Sequence, residues 1–150
     1  MEPEILILRD PRESEKKCSL TPLRGLAGVR FVEYDGERRV DAGGRICLHP
    51  EGEDLGPADA GRGMFLVDCS WRRLPKLMRV VDGEPVLRRL PPLVTAYPRK
   101  SRTFPDPEEG LASVEALYAA LTILGRPRRD LLAGYRWAAA FLASNPTLGL

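Results

Sequence analysis

Four consecutive residues, Asp68-Cys69-Ser70-Trp71, carry the side chains best suited to chemistry, and they follow an apolar run from Met64 to Val67. A carboxylate can take a proton or offset a positive charge, and an indole face attracts cations. The apolar run reads as a buried strand and the Arg-rich stretch behind it as a helix. The four residues therefore fall at the carboxyl end of a strand, where open parallel sheets bind ligands. A purely structural role, with Asp68 capping the helix and Trp71 as its first core anchor, is the commoner one for such residues, since caps outnumber catalytic Asp.

Other chemistries are excluded by what is missing. No GxGxxG follows the first strand and no GxxxxGK[ST] occurs, which argues against dinucleotide and P-loop sites. There is no GxSxG elbow, and a single His49 has no evident partner for a hydrolytic triad. Cys18, Cys47 and Cys69 form no CxxC pair, so neither a zinc site nor a disulfide framework is expected. No bound metal and a reducing, cytoplasmic setting are the expectations. The start, MEPEILILRD, lacks the features of a signal peptide, and no apolar run approaches the roughly 20 residues of a membrane span.

The elements that must hold these residues are short. Fourteen Pro and fourteen Gly in 150 residues favour many small elements over a long bundle. Glu4 to Arg9 reads as a doubly buried strand, and Ser19 or Thr21 as the cap of a short helix through Leu26. Arg30 to Tyr34 and Arg45 to Leu48 read as strands, the latter ended by His49-Pro50. Gly56 to Gly61 makes at most a turn of helix. Met64 to Val67 is a strand, Trp71 to Met78 a helix interrupted by Pro75, and Leu93 to Ala96 the last strand. Past a Pro-rich loop, Val114, Leu117, Tyr118, Leu121 and Leu124 repeat with helical period, Ser113 serving as N-cap and Gly125 as the residue after the C-cap. Asp130 is placed to cap a second helix from Leu131 to Ala143, stopped by Asn145-Pro146. The pattern predicts an α/β fold with a mainly parallel sheet, residues 1–92 forming the α/β lobe and residues 93–150 a C-terminal, mostly helical lobe.

The net charge of +2 conceals a segregation. Residues 62–102 hold ten basic side chains against Asp68, Asp82 and Glu84, a net of +7, while residues 1–61 carry −4 and residues 103–150 carry −1. Concentrated positive charge suits a polyanion partner such as RNA, and it also suits a solvated helix face.

Together these residues resemble a family. Lys16-Lys17-Cys18-Ser19, Leu48-His49-Pro50, Val67-Asp-Cys-Ser-Trp71, Arg89-Leu-Pro-Pro-Leu-Val94, Leu111-Ala-Ser-Val-Glu-Ala-Leu117 and Tyr135-Arg-Trp-Ala-Ala-Ala-Phe-Leu142 occur in one order across nearly the whole chain. The set is similar to the small-subunit rRNA aminocarboxypropyltransferases of archaea and eukaryotes. That resemblance implies a SPOUT-like fold with a deep trefoil knot and S-adenosyl-L-methionine in the knotted cleft. It also implies transfer of the 3-amino-3-carboxypropyl group to N3 of a modified pseudouridine by a monomer acting on small-subunit rRNA or a pre-ribosomal particle.

Residue by residue, the resemblance makes Ser19 and Ser113 anchors for the cofactor's carboxylate. Leu48 and Pro50 pack on the adenine, and Leu90, Leu111 and Ala116 close the pocket. The Val67 carbonyl meets the ribose, Trp71 with Leu74 buries the S-methyl group, and Asp68 lies near the sulfonium or the uracil edge. The regiochemical reason is that a sulfonium has three electrophilic carbons, and the one held in line with the nucleophile at about 3–3.5 Å reacts. Arg72, Arg73, Lys76, Arg99, Lys100 and Arg102 are the expected RNA contacts. Where the family has an Asn-Pro-Val-Asn-Tyr-Gly run, this chain has Tyr97-Pro-Arg-Lys-Ser-Arg102. Two alternatives stand beside this reading. One is aminocarboxypropyl transfer to tRNA uridine, as in DTW-domain enzymes with a similar Asp-x-Thr-Trp pattern. The other is a non-catalytic RNA-binding assembly factor.

Overall fold

The computed structural model describes residues 4–12, 20–70, 72–96 and 112–148. Along the chain lie β1 (Ile5–Arg9), β2 (Val29–Glu33), β3 (Val40–Asp41), β4 (Ile46–Asp54), β5 (Met64–Asp68), α1 (Leu74–Met78), β6 (Val81–Asp82), β7 (Val86–Arg89), α2 (Ser113–Ile123) and α3 (Ala138–Ser144). Five strands form one sheet in the order β2-β1-β5-β4-β7, every adjacent pair parallel, and β3 with β6 forms a separate parallel pair. Strand β1 is apolar at four successive positions because both faces of the sheet are covered.

The pleat sends alternate residues into two cores. Ile5, Ile7, Ile46 and Met64 join Val114, Leu117, Tyr118 and Leu121 of α2 and Phe141 of α3. Leu6, Leu8, Val32 and Phe65 join Val40, Val80 and Leu77 on the other face. The helices past residue 112 thus share their core with the sheet. Burying a side chain of the Leu or Phe class contributes about 1.5–3 kcal/mol, so these two clusters dominate the packing energy.

All five periodic positions of α2 are buried. The helix closes with Gly125 N donating to Thr122 O and Arg126 N to Leu121 O, with Gly125 at φ +84°. Its N-cap is Ala112, one residue before the expected Ser113, which is the first helical residue. The expected helix from Leu131 to Ala143 is broken into a 3-10 turn, Arg129–Leu132, and α3. Gly134 interrupts it, and a Cβ there would stand 2.7 Å from Pro22 Cβ, so the close approach of that proline requires glycine. Around Pro22 the expected N-terminal helix is likewise a 3-10 turn, Thr21–Leu23. Helix α1 begins at Leu74, with Pro75 in the first turn, where its missing N–H costs nothing.

Two strand expectations are corrected. Leu93 to Ala96 is not a strand, because its backbone is satisfied by side chains. Val94 N donates to Asn145 Oδ1 at 2.8 Å, Asn145 Nδ2 to Val94 O at 2.7 Å, and Ala96 N to Glu115 Oε2 at 2.9 Å. Strand β4 does not stop at His49-Pro50. It leaves β7 after Leu48, opposite Arg88, and rejoins with Glu53 at the same Arg88. Pro50 is tolerated inside that excursion, since no ladder bond to β7 is required of it. Gly52 is needed at the return, where a Cβ would lie 2.6 Å from Arg88 N.

Candidate active site at the carboxyl edge of the sheet

From β1 the chain steps to β2 on one side and returns through β4 and β5 on the other, so the sheet order reverses between β1 and β5. Arg9 and Asp68 are partners in register at the carboxyl ends of these two strands. Alternation from Ile5 and Met64 turns both side chains to the α2 face. Next to them the sheet opens. Among the described residues β4 pairs with β5 only at Ile46 and Met64, then diverges into the excursion at residues 49–52. Leu48 and Asp68 thus stand on strands that are no longer paired at this end of the sheet.

Asp68 is 8% exposed, and its Oδ2 lies 3.7 Å from Arg9 Nη1. It does not cap α1, whose N-cap is Arg73 without a side-chain hydrogen bond. Its backbone carbonyl accepts from Asp10 N at 2.9 Å, closing the loop past β1 onto β5. Arg9 is 1% exposed, and its Nη1 donates to Thr21 Oγ1 at 3.3 Å. The other terminal nitrogen, Nη2, is buried with no hydrogen-bond partner. Such a group costs about 1–3 kcal/mol, more when charged, so it calls for an explanation.

The first turn of α2 is held by Glu115, which is fully buried. Its carboxylate accepts from the Thr95 hydroxyl at 2.6 Å, Ala96 N at 2.9 Å, Ala112 N at 2.8 Å and the Tyr135 hydroxyl at 2.9 Å. The chain leaving β7 is thereby clasped to the helix that carries Ser113 and Ala116, both half-buried. Leu48 and Leu90 are half-buried apolar groups against the same core, with Leu93, Ala96 and Ala112 beside them. The Val67 side chain turns to the opposite core.

Of the other expected site residues, Pro50 contributes described backbone only. Ser19, Trp71, Leu111, Arg99, Lys100 and Arg102 lie outside the described residues. Arg72 and Lys76 are exposed. Arg73 is a structural tie, its Nε and Nη2 both donating to Asp10, and that carboxylate keeps its guanidinium pKa raised despite the cost of burial. Arg9, Thr21 and the Glu115 hub went unnoticed as site residues. The available signal was Arg9 itself, a lone cation ending a strand that is otherwise wholly apolar.

At the amino edge a cavity of about 680 Å³ is lined by Arg30, Arg38, Arg39, Arg45 and Arg126, with Glu4 and Asp41. No helix of the described residues is long and apolar enough to cross a membrane.

The fold defines an α/β protein with a mainly parallel sheet, and the candidate site lies at the carboxyl ends of its strands. A family model described as ribosome biogenesis protein, C-terminal, matches residues 46–148. The 16S rRNA aminocarboxypropyltransferase of Vulcanisaeta distributa is 29% identical, over 97% of this chain and 79% of its own. That of Methanopyrus kandleri is 36% identical, over 87% and 77%. The solved structure of the SAM-dependent rRNA:acp-transferase Tsr3 from Vulcanisaeta distributa superposes with a TM-score of 0.73 at 28% identity, covering 99% of this chain and 82% of that one. The chain belongs to this ribosome biogenesis family and to the 16S rRNA aminocarboxypropyltransferase family.

Proposed function

We propose that this protein transfers the 3-amino-3-carboxypropyl group of S-adenosylmethionine to N3 of a modified pseudouridine in small-subunit rRNA. One observation carries the reading: the likeness to an rRNA:acp-transferase extends over 99% of the chain. The residues present fit the cofactor. Half-buried Leu48 and Leu90 offer apolar surface to a purine, the start of α2 offers N–H donors to an anion, and buried Arg9 Nη2 lacks an acceptor.

When bound, S-adenosylmethionine supplies an electrophilic carbon beside its sulfonium. Around it, Leu48 and Pro50 hold the adenine, with Leu90, Leu111 and Ala116 closing the pocket. The Val67 carbonyl accepts from the ribose, and Ser19 and Ser113 hold the carboxylate. Trp71 with Leu74 covers the S-methyl group, so that the longer chain is presented for attack. Asp68 supplies the carboxylate that takes the N3 proton or offsets the positive charge. Arg72 and Lys76, at the start of α1, meet the RNA close to Asp68. The knotted, SPOUT-like threading belongs to the same proposal. A chain trace in a crystal structure tests it.

The test is mass spectrometry of rRNA and tRNA nucleosides from a deletion strain, with calorimetry of S-adenosylmethionine binding. Loss of the hypermodified nucleoside from rRNA is expected. Loss from tRNA instead would reassign the substrate, and absence of cofactor binding at millimolar concentration would leave a non-catalytic RNA-binding factor.

A further inference from the structure

We infer that Arg9 is a cofactor-binding residue, its guanidinium receiving the carboxylate of the bound cofactor's amino-acid chain; this rests on the function proposed above. The inference stands on a buried charge with an unused donor. Arg9 is 1% exposed, and Nη2 has no hydrogen-bond partner. Its other terminal nitrogen is fixed by Thr21 Oγ1 at 3.3 Å and faces Asp68 Oδ2 at 3.7 Å. One part of the guanidinium is thus anchored, while an adjacent N–H donor remains open inside the fold. Evolution rarely leaves such a donor unpaired, and the planar fork of arginine matches a carboxylate.

The location selects the ligand. Arg9 ends β1, which lies between β2 and β5 at the point where the sheet order reverses, on the face that also carries Leu48 and the start of α2. At 1% exposure, Nη2 is out of reach of a polymer phosphate, so the missing acceptor belongs to a small molecule enclosed in the site. Thr21, the residue that anchors Arg9, stands two residues after Ser19 in the sequence. The aminocarboxypropyl group is the only part of the cofactor that carries such a carboxylate. A cation reserved for it would fix the chain that is transferred, apart from the adenosine that stays behind. Arg9 would then act in substrate positioning as well as in affinity.

The experiment measures binding of S-adenosylmethionine and decarboxylated S-adenosylmethionine by calorimetry to the wild type, Arg9→Met and Arg9→Lys. The wild type should prefer the carboxylate-bearing compound by at least about tenfold, and Arg9→Met should lose most of that preference by weakening the first compound alone, as a positioned charged hydrogen bond requires. Arg9→Lys keeps the buried charge and so guards against misfolding. Without the fork, it should reduce the preference by at least about threefold. Equal weakening of both compounds, or a preference unchanged in the lysine variant, would overturn the inference and leave Arg9 a partner of Asp68 alone. Failure of the wild type to bind S-adenosylmethionine would be a different result, since it removes the proposed function itself.

Discussion

The two edges of the main sheet handle charge in opposite ways. At the carboxyl edge one ion pair is buried: Arg9 and Asp68 face each other on the α2 face, where β4 and β5 are no longer paired. At the amino edge five arginines line an open cavity, and most are occupied by the fold. Arg39 is paired with Asp82, Arg45 donates to Ala42 O, and Arg126 reaches Glu4 and Arg62 O. Each edge also has an orphaned buried nitrogen, Arg9 Nη2 at one and Arg126 Nε at the other. Arg126 Nε still has Glu4 Oε2 at 3.6 Å and a side chain 34% exposed, so nearby charge and water offset its burial. Arg9 has Asp68 Oδ2 at 3.7 Å from its Nη1, but at 1% exposure its Nη2 has no access to water. The number of cations is therefore a poor guide to a binding site, and a single unused donor in a dry place is a better one.

The largest effect should separate the edges by chemistry. Asp68→Asn keeps shape and removes charge, so the variant should stay folded and bind cofactor yet lose about 10²–10⁴-fold in transfer rate. Release of methylthioadenosine together with the modified nucleoside is the assay. Full turnover would strip Asp68 of its part in the reaction and leave it a structural partner of Arg9.

Next in size is Glu115, which holds the carboxyl edge together from behind. Glu115→Ala leaves the Thr95 and Tyr135 hydroxyls and the Ala96 N–H without their acceptor. Unfolding in denaturant should show a loss of about 2–3 kcal/mol, given one buried and two part-buried donors that lose a charged acceptor at once. A loss below about 1 kcal/mol would mean that water replaces the carboxylate and the clasp is dispensable.

The RNA face sharpens the comparison further. If the target base enters at the carboxyl edge, Arg72→Ala with Lys76→Ala should lower the slope of log affinity against log salt, by up to about 0.7–0.9 per lost phosphate contact. Arg30 and Arg38 at the amino edge have guanidinium groups without a hydrogen bond or ion pair among the described residues, and their double alanine variant should change the slope less. The reverse order would move the RNA to the amino-edge cavity. Arg73 is left out of the pair because it ties α1 to Asp10.

How much of this was legible in the sequence depended on whether the signal was local. The apolar run of β1, the period of α2 and its Gly125 ending were readable, because burial and helix closure act over a few neighbouring residues. Leu93 to Ala96 looked like a strand because it is a short apolar run, but only Leu93 and Ala96 pack on the core, and its hydrogen bonds go to Asn145 and Glu115, far away in sequence. The excursion of β4 was hidden because Pro50 argues for a stop, whereas rejoining depends on Gly52 lying against Arg88. At the site, Asp68 could be found from its position after a strand. Arg9 could not be given a role, because its value lies in being buried opposite Asp68 with one donor unused. The charge count pointed to residues 62–102, yet Arg73, Arg88 and Arg89 there are engaged with Asp10, Asp59 and Asp54. A net charge along the chain does not record which cations the fold consumes.

The smallest effect contrasts one ion pair from each edge. Arg88 of β7 donates to Asp59 in the turn after β4, with side chains 22% and 9% exposed, while Arg39 and Asp82 beside the cavity are 59% and 51% exposed. Burial alone would raise the Asp59 carboxyl, but the Arg88 guanidinium and the Gly56 N–H more than offset it and hold it below its usual range. The Asp82 carboxyl is held down chiefly by its hydrogen bond from Arg39. A carboxyl lowered in the folded state contributes stability that is present above its unfolded value, near 3.9, and is lost as pH falls through the folded value. Removing the cation should therefore flatten the acid limb of the stability curve. For Arg88→Gln the loss at neutral pH should be about 1 kcal/mol, shrinking toward zero at low pH, because the pair is largely shielded from water. For Arg39→Gln the change should be smaller and should vanish in salt, because that pair is screened by solvent. Denaturant titrations between neutral and acidic pH, at low and high salt, measure both. Equal and salt-sensitive losses at the two sites would show that the Asp59 tie is no better protected than the surface pair, and that the contrast between the edges is confined to Arg9 and Asp68.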